Sequence, residues 1–77
     1  MKIYPNPTDG EVRIELNKTH RKISLKVYNS IGECVDVREF KNQQKMEYYL
    51  DGNPGLYLLK LQTSEGFKKT IKLIKEK

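Results

Sequence analysis

Apolar and polar residues alternate strictly in Glu11-Val12-Arg13-Ile14-Glu15-Leu16 and again in Ile23-Ser24-Leu25-Lys26-Val27. Because successive side chains of a β-strand point to opposite faces, each stretch predicts a strand with one face on a core and the other in water. Clusters rich in Gly, Pro, Asn and Asp separate these and later runs, and such spacing is typical of a sandwich or barrel. The sequence therefore predicts an all-β fold without helices.

Seven strands are predicted, near residues 2–4, 11–17, 22–29, 33–40, 46–50, 56–63 and 67–75. The β-branched Thr70, Ile71 and Ile74 favour a final strand over a short helix. Tyr48, Tyr49 and Tyr57 lie in apolar runs and are expected to be largely buried. The residues predicted to face inward between two sheets are Val12, Ile14, Leu16, Ile23, Leu25, Val27, Val35, Tyr57, Leu59 and Leu61.

The chain has 77 residues and a formal net charge of +5. This length predicts one small domain spanning residues 1–77, which evolved attached to something larger and has been excised from it. A basic surface suits an anionic partner such as nucleic acid, lipopolysaccharide or an acidic protein groove. The N-terminus carries no signal peptide, so an exported protein would have it elsewhere. No apolar run approaches a membrane span.

Catalytic chemistry is not expected, because no converging set of titratable groups is evident. His20 is the single histidine and is predicted to be a surface loop residue, and Cys34 is predicted to be a small apolar residue. The turn Asp51-Gly52-Asn53 lacks a complete calcium-loop pattern. We therefore predict a protein that is not an enzyme and has no metal and no cofactor.

The composition also raises two binding functions, one for nucleic acid and one for carbohydrate. Five tyrosines and fifteen Lys and Arg residues could form a nucleic-acid surface, but the RRM aromatic motif is absent and the lysines alternate with apolar residues. No nucleic acid is therefore predicted as a partner. An accessory immunoglobulin- or fibronectin-like module of a larger secreted enzyme, binding carbohydrate, is the alternative, and it would require an exposed aromatic platform.

Four short motifs follow one another along the chain. They are Tyr4-Pro5-Asn6-Pro7 with Gly10, the segment KVYNSIGECV at 26–35 that includes Gly32, Gly55-Leu56-Tyr57, and the lysine-rich KTIKLIK at 69–75. In this order and spacing they resemble the type A C-terminal sorting domain of the bacterial type IX secretion system, also called the Por secretion system. The sequence departs from the family pattern at Asn29, where Asp is frequent, and at Glu33, where Arg is frequent.

The resemblance implies an immunoglobulin-like β-sandwich of about seven strands that acts as a monomeric address label. It implies an N-terminal cargo domain, recognition by the translocon or its shuttle, and removal by a sortase-like cysteine peptidase. It also implies passage through the periplasm of a Gram-negative bacterium to the cell surface or the medium. The motif residues expected to serve backbone geometry or packing are Tyr4, Pro5, Asn6, Pro7, Gly10, Gly32, Gly55 and Tyr57. The candidate recognition residues, expected to be accessible, are Lys69, Lys72, Lys75 and Lys77. The alternative role for these lysines is to block unwanted pairing at a solvated edge strand.

Overall fold

The computed structural model describes residues 1–77 as five antiparallel strands in one curled sheet, with no helix. The strands are β1 (Lys2–Tyr4), β2 (Glu11–Asn29), β3 (Cys34–Tyr49), β4 (Gly55–Thr63) and β5 (Lys68–Lys75). The predicted all-β class is confirmed. The predicted seven-strand sandwich is not, because two pairs of the predicted strands each form one long strand.

The long strands β2 and β3 pass through stretches that were predicted as loops. Residues 17–22 and 41–45 are polar but contain neither Gly nor Pro, so nothing in them prevents an extended backbone. The ladder between β2 and β3 shifts register between Glu15 and His20. The buried positions of β2 accordingly change from even numbers, as at Ile14, to odd numbers, as at Ile23. The strand thus bends while it stays paired.

The sheet curls because the two halves of β2 pair with different strands. The first half of β2 pairs with β1 and with the second half of β3, whereas its second half pairs with the first half of β3 and with β4. β4 then pairs with β5, which is the last strand of the order β1-β2-β4-β5. A parallel bridge between Thr8 and Lys75 joins the segment before β2 to β5. The two ends of the chain therefore meet.

The concave side of the sheet holds one hydrophobic core. Nine of the ten residues predicted to face inward are buried there, and Val35 is the exception. The core also contains four residues outside that prediction. Its members are Val12, Ile14, Leu16, Ile23, Leu25, Val27, Met46, Tyr48, Leu50, Tyr57, Leu59, Leu61 and Leu73.

The predicted orientations of Val35 and Tyr49 are wrong. Val35 is 48% exposed because a bulge pairs Val27 with Asp36 and Tyr28 with Cys34, which leaves Val35 as the extra residue. Tyr49 is 63% exposed. Its neighbour Tyr48 faces the core, and adjacent side chains of a strand face opposite sides.

Candidate functional site

The Pro-rich N-terminal motif holds the outer edge of β5. The Asn6 side chain donates from Nδ2 to the carbonyl oxygen of Lys72 (2.8 Å) and accepts at Oδ1 from the N–H of Ile74 (3.1 Å). Thr8 continues this pairing with its backbone, donating to the Ile74 carbonyl and accepting from the N–H of Glu76, both at 2.8 Å. The Asn6 amide thus takes the place of a strand residue, and the C-terminal half of β5 has its edge closed.

The rest of this motif shapes the turn that enters β2. The Thr8 hydroxyl donates to the Glu11 carbonyl (2.6 Å) and accepts from the Gly10 N–H (3.0 Å). Gly10 has φ 140°, and a Cβ there would lie 2.9 Å from the Tyr49 ring, so only glycine fits. The peptide bonds preceding Pro5 and Pro7 are cis, and the Tyr4 hydroxyl donates to Glu15. These contacts fix the turn and attach it to β2.

The turn between β2 and β3 contains the two departures from the family pattern. Asn29 Oδ1 accepts from the N–H groups of Ile31 (3.2 Å) and Glu33 (2.9 Å). Its Nδ2 donates to Glu33 Oε1 at 3.0 Å. The two residues that depart from the family pattern are therefore bonded to each other. Gly32, with φ 88°, occupies the left-handed position of this turn.

Tyr57 anchors the turn that precedes β4. Its ring is buried and its hydroxyl donates to the Asn53 carbonyl at 2.6 Å. Gly52 lies so close that a Cβ would be 2.9 Å from this hydroxyl, and Gly55 starts β4 with φ 147°. The carbonyl of Gly52 accepts from Lys75 Nζ at 2.7 Å. The turn is therefore tied to β5 as well.

The four candidate lysines do not form one cluster. Lys69 and Lys75 pair with Leu61 and Gly55 on the side of β5 that faces the core, whereas Lys72 pairs with Leu58 on the other side. The predicted accessibility of Lys75 is wrong: the residue is only 6% exposed, because its ammonium group bonds to the carbonyls of Gly52 and Lys77. Lys69, Lys72 and Lys77 are exposed.

A second basic surface, which the sequence reading missed, covers the convex side of the sheet. Three cross-strand rows form it: Glu39, Ser24, Gln62 and Lys68; Val37, Lys26, Lys60 and Thr70; and Cys34, Tyr28, Leu58 and Lys72. We call this surface the basic face. No ion pair involves its four lysines, and its one carboxylate, Glu39, lies 3.8 Å from Lys22. The available signal was the lysines on the polar face of the predicted strands, namely Lys26 in β2, Lys60 in β4, and Lys68 and Lys72 in β5.

The prediction that His20 is a surface loop residue is wrong. His20 is buried in β2 with Nδ1 2.9 Å from Glu65 Oε1, because β2 continues through the predicted loop. Hydrogen bonds from Lys18 and His20 hold the pKa of Glu65 below its ordinary value. Cys34 is exposed at the start of β3, where it pairs with Tyr28, whereas His20 pairs with Gln43. The two residues do not meet.

Taken together, these contacts define a small all-β domain in which motifs from distant parts of the sequence fix a lysine-rich terminal strand. A family model described as the secretion system C-terminal sorting domain matches residues 2–76. The chain belongs to this family, the C-terminal sorting domains of type IX secretion. No curated protein matches the sequence.

Membership in the family carries a general function. A sorting domain of this kind works with the secretion machinery and directs export across the outer membrane, to the cell surface or out of the cell. The fold contains no helix that is long and apolar enough to cross a membrane.

Proposed function

We propose that this domain is a removable address label for an N-terminal cargo domain. It travels through the periplasm, is recognised by the type IX translocon or its shuttle, and is cut off by a sortase-like cysteine peptidase. The cargo is then released or joined to anionic lipopolysaccharide. The observation that carries this proposal is the family match over nearly the whole chain. The four sequence motifs also support it, because each makes a specific contact in the fold.

The label has no catalytic activity of its own in this proposal. No group of three or more His, Cys, Asp and Glu side chains could hold a metal ion. His20 is engaged with Glu65, and Cys34 has no histidine beside it. The nucleophile that cleaves the label therefore belongs to the partner peptidase.

We also propose that the curled sheet corresponds to an immunoglobulin-like sandwich. The two halves of β2 pair with different neighbours, and so do the two halves of β3. Counting these halves separately gives the seven segments of such a sandwich. A carbohydrate-binding role, the alternative, finds little support, because Tyr48 and Tyr57 are buried with their hydroxyls bonded within the domain.

Export of a fused reporter tests the label. We expect a periplasmic reporter carrying this chain at its C-terminus to leave a cell that has the type IX machinery. Lys69→Glu with Lys72→Glu should reduce this export, since both lysines are exposed and neither makes an ion pair within the domain. Lys75 is unsuitable for this test because a buried carboxylate would face carbonyl oxygens.

The matched control is Lys41→Glu with Lys45→Glu, which makes the same charge change at exposed positions of β3. Both double variants should melt close to the parent, because surface substitutions usually change stability by less than about 0.5 kcal/mol. Failure of the unmodified fusion to leave the cell would refute the proposed function. Equal export of both double variants would show that the charge of β5 is not read.

A further inference from the structure

The edge of β5 that faces away from β4 is open over one half of its length. Asn6 and Thr8 bond to the backbone of Lys72, Ile74 and Glu76 on this edge. Because the backbone groups of a strand alternate between its two edges, even-numbered residues of β5 face away from β4. The N–H and C=O of Thr70 therefore lie on the open edge, and no strand pairs with them.

Positive charge surrounds this open half. Lys68 and Lys72 flank Thr70 on the basic face, and Lys69 lies on the opposite side of the strand. None of the three takes part in an ion pair, so their charges are available to a partner. A backbone edge supplies generic affinity, and the side chains beside it select the sequence that pairs there.

We infer that an extended, acidic segment of a partner protein adds to the open edge of β5 as a further strand, over residues 68–72. This inference rests on the proposed function, in which the secretion machinery reads the domain, and it names how the reading occurs. The carboxylates of the added strand lie beside Lys68 and Lys72. Its alternate residues are apolar and pack beside the half-buried Ile71.

Other edges and other occupants fit less well. On β3, the Val35 bulge and a hydrogen bond from the Val37 N–H to Asp36 Oδ1 (2.8 Å) interrupt the N-terminal part of the edge. A second copy of β5 would place lysines opposite lysines. A nucleic-acid base would need the Tyr28 ring face, over which Lys60 Nζ lies 5.0 Å from the centroid.

Titration of the domain with a short peptide of alternating Glu and Val tests the inference directly, with a Lys–Val peptide as control. In amide NMR spectra we expect the Glu–Val peptide to protect the Thr70 amide from solvent exchange, and the Lys–Val peptide to have no effect. Shifts spread over the lysines of the basic face without protection of Thr70 would overturn strand addition. Binding of the domain to anionic lipid vesicles in preference to the Glu–Val peptide would overturn it as well.

Thr70→Pro removes the N–H of the open edge without removing a bond to β4, and proline is tolerated at such positions. It should weaken binding of the Glu–Val peptide about tenfold, the equivalent of one good hydrogen bond, whereas Thr70→Ser should bind like the parent.

The double variant Lys68→Glu with Lys72→Glu covers the case in which Thr70→Pro does not fold. It should reverse the preference, binding the Lys–Val peptide and not the Glu–Val peptide, and an unchanged preference would overturn the inference.

The same variants separate this inference from the proposed function in cells. If the reporter fused to the unmodified domain is not exported, the proposed function fails. If that reporter is exported and the Thr70→Pro fusion is exported equally well, the sorting function stands and strand addition at β5 is wrong. If Thr70→Ser is exported and a folded Thr70→Pro is not, both stand.

Discussion

Single hydroxyl groups tie loops and strands of this small domain together. The Tyr48 hydroxyl donates to Asp36 Oδ2 at 2.7 Å, and Tyr57 donates to the Asn53 carbonyl. Burial, together with the neighbouring Asp36 carboxylate, raises the pKa of Tyr48, whereas the bond from Tyr48 lowers the pKa of Asp36. Asp36 lies in the first half of β3 and Tyr48 in the second, so their hydrogen bond links the two halves of the strand. Asp36 is also 3.2 Å from Arg38.

Tyr48→Phe should cost about 1–2 kcal/mol of unfolding free energy near neutral pH, since it removes a hydrogen bond to a charged group. The pKa of Asp36 is lowered from its ordinary 3.8 by folding, so its contribution is present above that value and is lost as pH falls through the folded-state pKa. The variant should therefore lose less stability than the parent on acidification. Denaturant unfolding at several pH values measures this, and Tyr49→Phe is the control because its exposed hydroxyl has no partner. An equal parent–variant difference at neutral and acid pH would contradict the argument.

At the scale of elements, the domain protects its edge strands unevenly. The edge of β5 is closed by Asn6 and Thr8 at its C-terminal half and open at Thr70. β3 interrupts its own edge with the Val35 bulge. Lysines beside an exposed edge discourage unwanted pairing, and the acidic segment inferred above is the partner whose charge would complement them.

Asn6→Ala should destabilise the domain by about 1–3 kcal/mol, because it removes both hydrogen bonds to β5. Hydrogen exchange at the Ile74 amide, which donates to Asn6, should accelerate more than exchange at amides of the core strands. Asn6→Asp should also destabilise, since it would turn a carboxylate oxygen toward the Lys72 carbonyl. Asn53→Ala is the control, because the Asn53 side chain makes no hydrogen bond. Unchanged exchange at Ile74 in Asn6→Ala would show that the side chain does not hold β5.

For the molecule as a whole, the last strand is part of the core and also carries the edge at which we infer that a partner binds. Leu73 is fully buried, and Lys75 bonds to the turn before β4. The N-terminal motif depends on the same strand, because the Asn6 side chain forms hydrogen bonds with residues that lie 66 and 68 positions later in the sequence. Folding and recognition therefore cannot be separated by truncation.

Deletion of residues 72–77 should unfold the domain, because it removes Leu73 from the core and the backbone partners of Asn6 and Thr8. Loss of Leu73 alone would cost about 2–5 kcal/mol, which is a large part of the stability of so small a domain. Circular dichroism should show loss of the β signal in the deleted chain but not in a chain that lacks only Lys77. A folded deletion variant that is not exported would instead mean that these residues serve recognition alone.

The residue pattern by itself determined the all-β class and the nine correctly predicted core residues. These features follow from local rules, since alternation places Ile14 or Leu25 inward whichever strand lies beside it. Only tertiary structure decided the strand count, because β2 continues through His20 by pairing with β3. It also decided the outward turn of Val35 at a bulge and the burial of Lys75, whose partner Gly52 lies 23 residues away. Each of these depends on which distant backbone comes to lie beside the residue, and a linear pattern of side chains carries no record of that pairing.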